Sequence, residues 1–251
     1  MDRYQRQHKF VWEYGSSLVD LVFSEESDIP DNAKILDVGC GSGELAAQLA
    51  QRGGHDVTGI DSDLRMIQKA SEQFPDLTFH CADVRDFDLG EDASFDVIFS
   101  NAALHWVPPH DVDRALGCIG RALKPGGLLV VEFGGRGNVQ SVVTAIEQET
   151  HVPSPWYFPG IADFTTRLEL VAGIETTTAS LFDRPTTLSD GGNGLKNWLR
   201  MFGNVFWKDL PPENDLEDTL TRIENRVRSN LWDGESWIAD YRRLRVVGRK
   251  F

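Results

Sequence analysis

The feature that most constrains this chain is the stretch "AKILDVGCGSGELAAQLA", residues 33–50. An apolar run reaches Asp37, turns through glycines at 39, 41 and 43, and continues in a helical pattern. Glycine adopts positive φ without steric cost, so this spacing allows a tight turn from strand to helix. A turn of this kind after a first strand lies at the carboxyl end of an open sheet, where ligands bind at the point of reversed strand order.

The segments that follow agree with such a sheet. Strands are expected at "AKILDV" (33–38), "DVTGI" (56–60), "LTFHC" (77–81), "FDVIFSN" (95–101) and "GLLVVEF" (127–133). Helical patterns fall between them at about 43–52, 63–73, 111–123 and 138–149. The strands are continuously apolar rather than alternating, which marks a parallel sheet covered on both faces. Strand–helix alternation predicts a doubly wound α/β fold. "LKPGG" at 123–127 stops a helix before the last of these strands, since proline and glycine do not continue it.

After residue 150 the texture changes. "HVPSPWYFPG" is an aromatic, proline-containing loop, and "IETTTASLFDRPTTL" (174–188) reads as a long β-rich segment. Helical stretches follow near 193–208 and 213–231, and "ESWIADYRRLRVVGRKF" ends as a strand. Five of the seven tryptophans (Trp156, Trp198, Trp207, Trp232, Trp237) lie in this half, so it reads as a helical, aromatic cap on the same domain.

Composition narrows the partners. A formal net charge of −14 argues against nucleic acid, whose binders carry a basic face, and favours a small or cationic ligand. Cys40, Cys81 and Cys118 are odd in number and form no CxxC pair, which predicts neither a disulfide framework nor a metal site and fits a reducing cytoplasm. The polar N-terminus predicts no signal peptide, and no apolar run approaches the roughly 20 residues that span a bilayer. No membrane partner is expected.

Two ligand classes use a glycine turn in this position: dinucleotides and S-adenosylmethionine. The dinucleotide fingerprint is G-x-G-x-x-G with the pyrophosphate on a helix N-terminus. Here the third glycine position is Glu44, and its carboxylate would repel a pyrophosphate, as would Asp37. Those acids suit a ligand carrying an ammonium and a sulfonium, so a nicotinamide-dependent dehydrogenase is disfavoured. Asp61 ends the second strand 22 residues beyond Gly39, the offset at which an acid accepts from ribose hydroxyls. Read alone, it would be a helix N-cap. Asp83 follows the third strand, placed either to accept from an adenine amine beside the Val84 N–H or simply to make a turn.

Together "ILDVGCGSGELA", "GIDSD", "CADV", "FDVIFSNAALHW" and "LKPGGLLVVEF" resemble a class I S-adenosylmethionine-dependent methyltransferase. Within that superfamily the chain is similar to the trans-aconitate methyltransferase-like group, through "NAALHWVP", "PWYFPGIADF", "RPTTL…NWLRMF" and "YRRLRVVGRK". The resemblance implies a Rossmann-like, mostly parallel seven-stranded sheet with a cap insertion. It implies one domain: a lid segment (1–30), a cofactor core (31–150), a cap and substrate region (151–235) and a terminal strand (236–251). It implies that Asp37, Gly39, Cys40 and Gly41 line the methionine part of S-adenosylmethionine, with Gly43 letting backbone approach the ribose. Asp61 would bind the ribose, Ser62 would lie beside the adenine, and Asp83 with Val84 would read its edge. Asn101 would offer its carbonyl to the ammonium, and "HKFVWEYG" (8–15) would form a lid helix or a packing helix.

The expected reaction is O-methylation of a small organic acid, by a cytoplasmic monomer or homodimer. Its alternatives are methylation of a hydroxyl, amine or carbon of a larger metabolite, and a non-catalytic sensor of the cofactor. His105 in "NAALHW" is the candidate catalytic residue, standing where trans-aconitate methyltransferases commonly carry glutamine. It could serve as a base, as a donor to a carboxylate, or as a structural residue. A carboxylate acceptor needs no base but calls for arginine, whose planar fork matches it. Arg136, Arg184, Arg200, Arg242 and Arg243 are available, Arg200 and Arg243 standing out because both lie among apolar residues. Trp106, Trp156 and Tyr157 are the expected walls.

Overall fold

The computed structural model describes residues 9–90, 94–207 and 215–251, with side chains from Gly15 onward. Helix α1 (Lys9–Val22) precedes strand β1 (Lys34–Val38), α2 (Glu44–Gln51), β2 (Asp56–Asp61), α3 (Leu64–Gln73), β3 (Thr78–Cys81) and β4 (Phe95–Asn101). Next come α4 (Val112–Ala122), β5 (Leu123–Gly134), α5 (Gln140–Thr150), α6 (Ile161–Arg167) and β6 (Ile174–Asp183). A short strand β7 (Thr186–Thr187), α7 (Gly194–Phe202), α8 (Asn204–Trp207), α9 (Leu216–Leu231), β8 (Ile238–Ala239) and β9 (Arg242–Lys250) complete the chain. Residues 1–8 of the expected lid segment, the side chains of residues 9–14, and residues 208 and 213–214 of the two expected cap helices lie outside the described residues.

The main sheet has seven strands in the order β3-β2-β1-β4-β5-β9-β6. The pairings from β3 through to β5 are parallel, and β9 runs antiparallel to both neighbours. Strand order reverses between β1 and β4, so the glycine turn opens at the switch point.

Alternate residues of the central strands feed two separate cores. Ile35, Val97, Phe99 and Val130 pack under α1 and α2 with Leu18 and Leu49. Leu36, Ile98 and Leu129 pack on the other face with Leu116, Ile119 and Phe164. With both faces covered, successive positions such as Ile35 and Leu36, Val97 and Ile98, and Leu128 to Val131 are all buried and apolar, which explains the runs in the sequence.

The segment after residue 150 divides. Residues 174–183 add β6 to the main sheet, while α5, α7, α8 and α9 enclose a third core with Trp156, Trp198, Phe206, Leu220 and Trp237. The β5 strand begins at Leu123, earlier than its apolar run suggests, because Leu123 already pairs with Phe95 ahead of the irregularity at "KPGG", where Gly126 has φ 75°. Among the described residues, no helix is long and apolar enough to cross a membrane.

A buried charge cluster ties the sheet's second half together. Glu132 of β5 is 2% exposed and accepts from Arg184 Nη2 at 3.0 Å and Arg245 Nε at 2.8 Å. Removing one member of such a cluster strands the others without a counter-charge. Glu132→Gln is expected to lower stability by about 3 kcal/mol, measured by urea unfolding.

Candidate functional site

The three glycines of the turn take φ of 73°, 55° and 87° at Gly39, Gly41 and Gly43, a region closed to most side chains. Gly39 lies so close to the loop after β4 that a Cβ on it would stand 2.2 Å from Ala103 Cβ. That loop is itself bent at Ala102, which has φ 56° and donates its N–H to the Glu132 carbonyl at 2.7 Å. The turns after β1 and β4 therefore meet at the switch point.

Asp61 braces this arrangement. One carboxylate oxygen accepts the Gly41 N–H at 3.0 Å and the other the Asp63 N–H at 2.9 Å. The helix cap is Asp63, whose side chain accepts from the Arg65 N–H at the start of α3, so Asp61 is not spent on capping. Burial raises the Asp61 pKa, opposed by those two backbone hydrogen bonds.

A cavity of about 850 Å³ runs from the glycine turn to the cap aromatics, within the range of small-ligand sites. Asp37, Gly39, Cys40, Gly41, Asp61, Ser62, Asp83, Val84 and Asn101 line one end. His105, Trp106, Trp156 and Arg243 line it toward the cap.

Three expected site residues face elsewhere. Gly43 turns toward Phe74 and Phe79, which a Cβ would meet at 3.0 and 2.9 Å; its role is close packing of α2 on its neighbours. Tyr157 is buried in the sheet core and donates its hydroxyl to Asp163 at 2.9 Å. Arg200 sits on the outer side of α7 and forks onto Glu217 of α9 at 2.7 Å. Of the other arginines considered, Arg136 is exposed, Arg184 serves Glu132, and Arg242 faces Asp183 at 3.2 Å.

The cavity's electrostatics are uneven. Asp37 is 2% exposed and its Oδ2 has no hydrogen-bond partner. Burial first, then the Asp61 and Glu44 carboxylates, push its pKa up to about 8. An orphaned carboxylate beside two more acids is a site for a cation. Burial likewise raises the Cys40 thiol, leaving it protonated. Asp83 is held low chiefly by Arg85, whose guanidinium forks onto both its oxygens at 2.9 and 2.6 Å and reaches Asp111 at 2.7 Å.

At the cap end the sign reverses. Arg243 is 7% exposed, and its guanidinium stacks over Tyr241 at 4.5 Å. It makes no side-chain hydrogen bond or ion pair to the described residues. Burial works against its charge, yet arginine stays protonated in proteins. Beside it His105, 9% exposed, has an Nδ1 without a partner and a pKa lowered to about 3, by burial first and Arg243 second. The imidazole is neutral. Trp156 Nε1 is a further buried atom without a partner.

Sequence reasoning missed the Arg85 fork and most of the cap wall: Phe158, Trp198, Met201, Phe202 and Tyr241. Trp198 and Phe202 are four apart on α7, the spacing of one helix face, and that pattern was a usable signal. Phe158 carried none, because a loop has no period. Among the described residues, no group of three or more His, Cys, Asp or Glu side chains could hold a metal ion.

Comparison with known proteins agrees with this architecture. A family model described as a methyltransferase domain matches residues 35–127. The chain is 31% identical to the uncharacterized methyltransferase C70.08c of Schizosaccharomyces pombe, covering 98% of this chain and 96% of that protein. It is also 31% identical to the trans-aconitate 2-methyltransferase of Variovorax paradoxus, over 88% of each. Among solved structures, the TehB-like SAM-dependent methyltransferase of Corynebacterium glutamicum superposes with a TM-score of 0.56 at 21% identity, over 99% and 98% of the two chains. The acidic glycine turn, the switch-point cavity and these near full-length matches converge: the chain belongs to the class I S-adenosylmethionine-dependent methyltransferases, in the trans-aconitate methyltransferase-like group.

Proposed function

We propose that this methyltransferase transfers its methyl group to a carboxylate oxygen of a small organic acid. The observation that carries the reading is Arg243, a buried guanidinium on the cavity wall without a carboxylate partner among the described residues. A charge left so is costly unless a ligand anion completes it. S-adenosylmethionine supplies a methyl group already activated on a sulfonium. A carboxylate is ionised at neutral pH, so the protein need only hold it in line and exclude water.

Each residue then has a task. Arg243 would grip the carboxylate through two parallel N–H groups. His105, held neutral beside that cation, would be a hydrogen-bond partner; a pKa of about 3 is far too low for a general base at neutral pH. Asp37 would face the α-ammonium of the cofactor, and Asp61 would accept from the ribose with the lone pairs its backbone bonds leave over. Ser62, Asp83 and Val84 would flank the adenine, Asp83 already fixed in orientation by Arg85. Cys40 and the Asn101 carbonyl would line the methionine arm.

The test is transfer from radiolabelled S-adenosylmethionine to small acids, phenols and amines, followed by mild alkali. Label released as methanol is the expected outcome and identifies a methyl ester. Label that survives on every product would overturn the carboxylate reading.

Asp37 predicts the pH dependence of cofactor binding. Its carboxyl, pushed up to about 8, must ionise to face an ammonium, so below that pH binding releases a proton. Affinity should rise from pH 6 toward 8, approaching about tenfold per unit at the acid end. Above 8 it should fall as the α-ammonium deprotonates, with a reference pKa of about 7.7–8.0. Calorimetry in buffers of different ionisation enthalpy would register the released proton; a flat profile would remove Asp37 from this role.

A further inference from the structure

We infer that the acceptor is a monocarboxylic acid with an apolar, planar or chain-like body, and that acids with further carboxylates, trans-aconitate included, are poor acceptors. This rests on the carboxylate reading above and sharpens it to a substrate class. Three cationic side chains line the cavity among the described residues: Arg65, Arg85 and Arg243. Arg65 is forked onto Asp63 at 3.0 and 2.7 Å, and Arg85 onto Asp83 and Asp111. Both stand just after β2 and β3, at the cofactor end. Arg243 is the cap end's single cation among the described residues, so one carboxylate there finds a partner and a second finds none among them.

The remaining wall is aromatic. Trp156 meets Trp106 edge-on at 5.7 Å and Trp198 at 6.2 Å, and Trp198 meets Phe202 at 5.2 Å. Such faces offer area and a π-surface to a flat or aliphatic body and nothing to an anion. The polar atoms among them are few or engaged. The Tyr241 hydroxyl accepts from Trp198 Nε1 at 2.6 Å, and Asn138 Oδ1 accepts the Arg242 N–H at 2.9 Å. Trp156 Nε1 and His105 Nδ1 remain without partners, and both groups are neutral. At the other end the Glu44 and Asp61 carboxylates repel any carboxylate that turns that way. A second anionic group would therefore enter without a counter-charge among the described residues, and rejection of about 100-fold or more is the normal result of leaving polar groups unpaired in a closed site.

The experiment measures kcat/KM of the full chain with labelled S-adenosylmethionine for trans-cinnamate and octanoate against trans-aconitate, with alkali treatment of each product. The expected result is a monoacid preferred over trans-aconitate by about 100-fold, its label alkali-labile. Equal or better use of trans-aconitate, with alkali-labile label, overturns this inference and leaves the carboxylate reading standing. Failure of all three acids, beside alkali-stable labelling of a phenol or amine, overturns both, as does failure of every acceptor. A variant sharpens the comparison: Trp106→Arg places a second cation at the cavity rim, where Trp106 is 42% exposed. It should shift the ratio about tenfold toward trans-aconitate, and a ratio within one protein is insensitive to partial loss of folding. An unchanged ratio in that variant would count against the missing cation as the cause.

Discussion

Arg243→Met is expected to lower kcat/KM for the acid by about 10²–10³-fold, the scale for losing one partner of a buried, hydrogen-bonded charge pair, while cofactor affinity stays within about twofold. Methionine retains most of the aliphatic stem's packing and removes a charge that has no ion-pair partner in the described fold. The folded protein should consequently be as stable as the parent or more so, because replacing a buried cation that has no ion-pair partner among the described residues by an apolar side chain removes its desolvation cost. Activity and stability then move in opposite directions, the pattern of a residue kept for its ligand. Joint loss of both, followed by kinetics and thermal unfolding, would instead make Arg243 a structural member of β9.

Gly39→Ala should be the most damaging single change in the cofactor half. The added methyl would stand 2.2 Å from Ala103 Cβ, and the residue would have to hold φ 73°. Conformational strain alone costs about 1–2 kcal/mol, and forcing two backbone turns apart adds about 1–3 kcal/mol of overpacking. The loops after β1 and β4 meet at this point, so separating them should also weaken S-adenosylmethionine binding tenfold or more. Gly41→Ala is the control, since Gly41 has φ 55° but a Cβ added there would meet no atom within 4 Å. Urea unfolding should show Gly39→Ala at least twice as destabilising. Equal losses would assign the whole effect to φ and none to the close approach.

What the sequence made legible follows from range. The apolar runs, the turn glycines and the acids after β2 and β3 are local signals, and the sheet, its switch point and the glycine-turn end of the cavity were readable from them. Asp61 and Asp63 show the limit: one ends β2 and the other follows it, and only the structure separates the turn brace from the helix cap. The cap end depended on contacts between distant segments. Arg200 and Arg243 look alike in sequence, each basic among apolar neighbours. Arg200 finds Glu217 across a helix pair, whereas Arg243 is turned inward by the alternation of β9. Tyr157 follows Trp156 directly, and successive residues of an extended loop point opposite ways, one into the cavity and one into the sheet core. No period exists in such a loop to say which is which.

The placement of β9 also fixes an order of assembly. Strands β1, β2 and β3 pair with one another close in sequence, as Lys34 does with Asp56 and Thr58 with Thr78. Arg243 becomes part of the site only when β9 lies between β5 and β6, with Leu128 opposite Arg249. Closing so long a loop carries a larger entropy cost before any contact forms. During refolding, the glycine turn and β1–β3 should therefore form first, and the β5–β9 pairing that brings Arg243 to the cavity should lock in last.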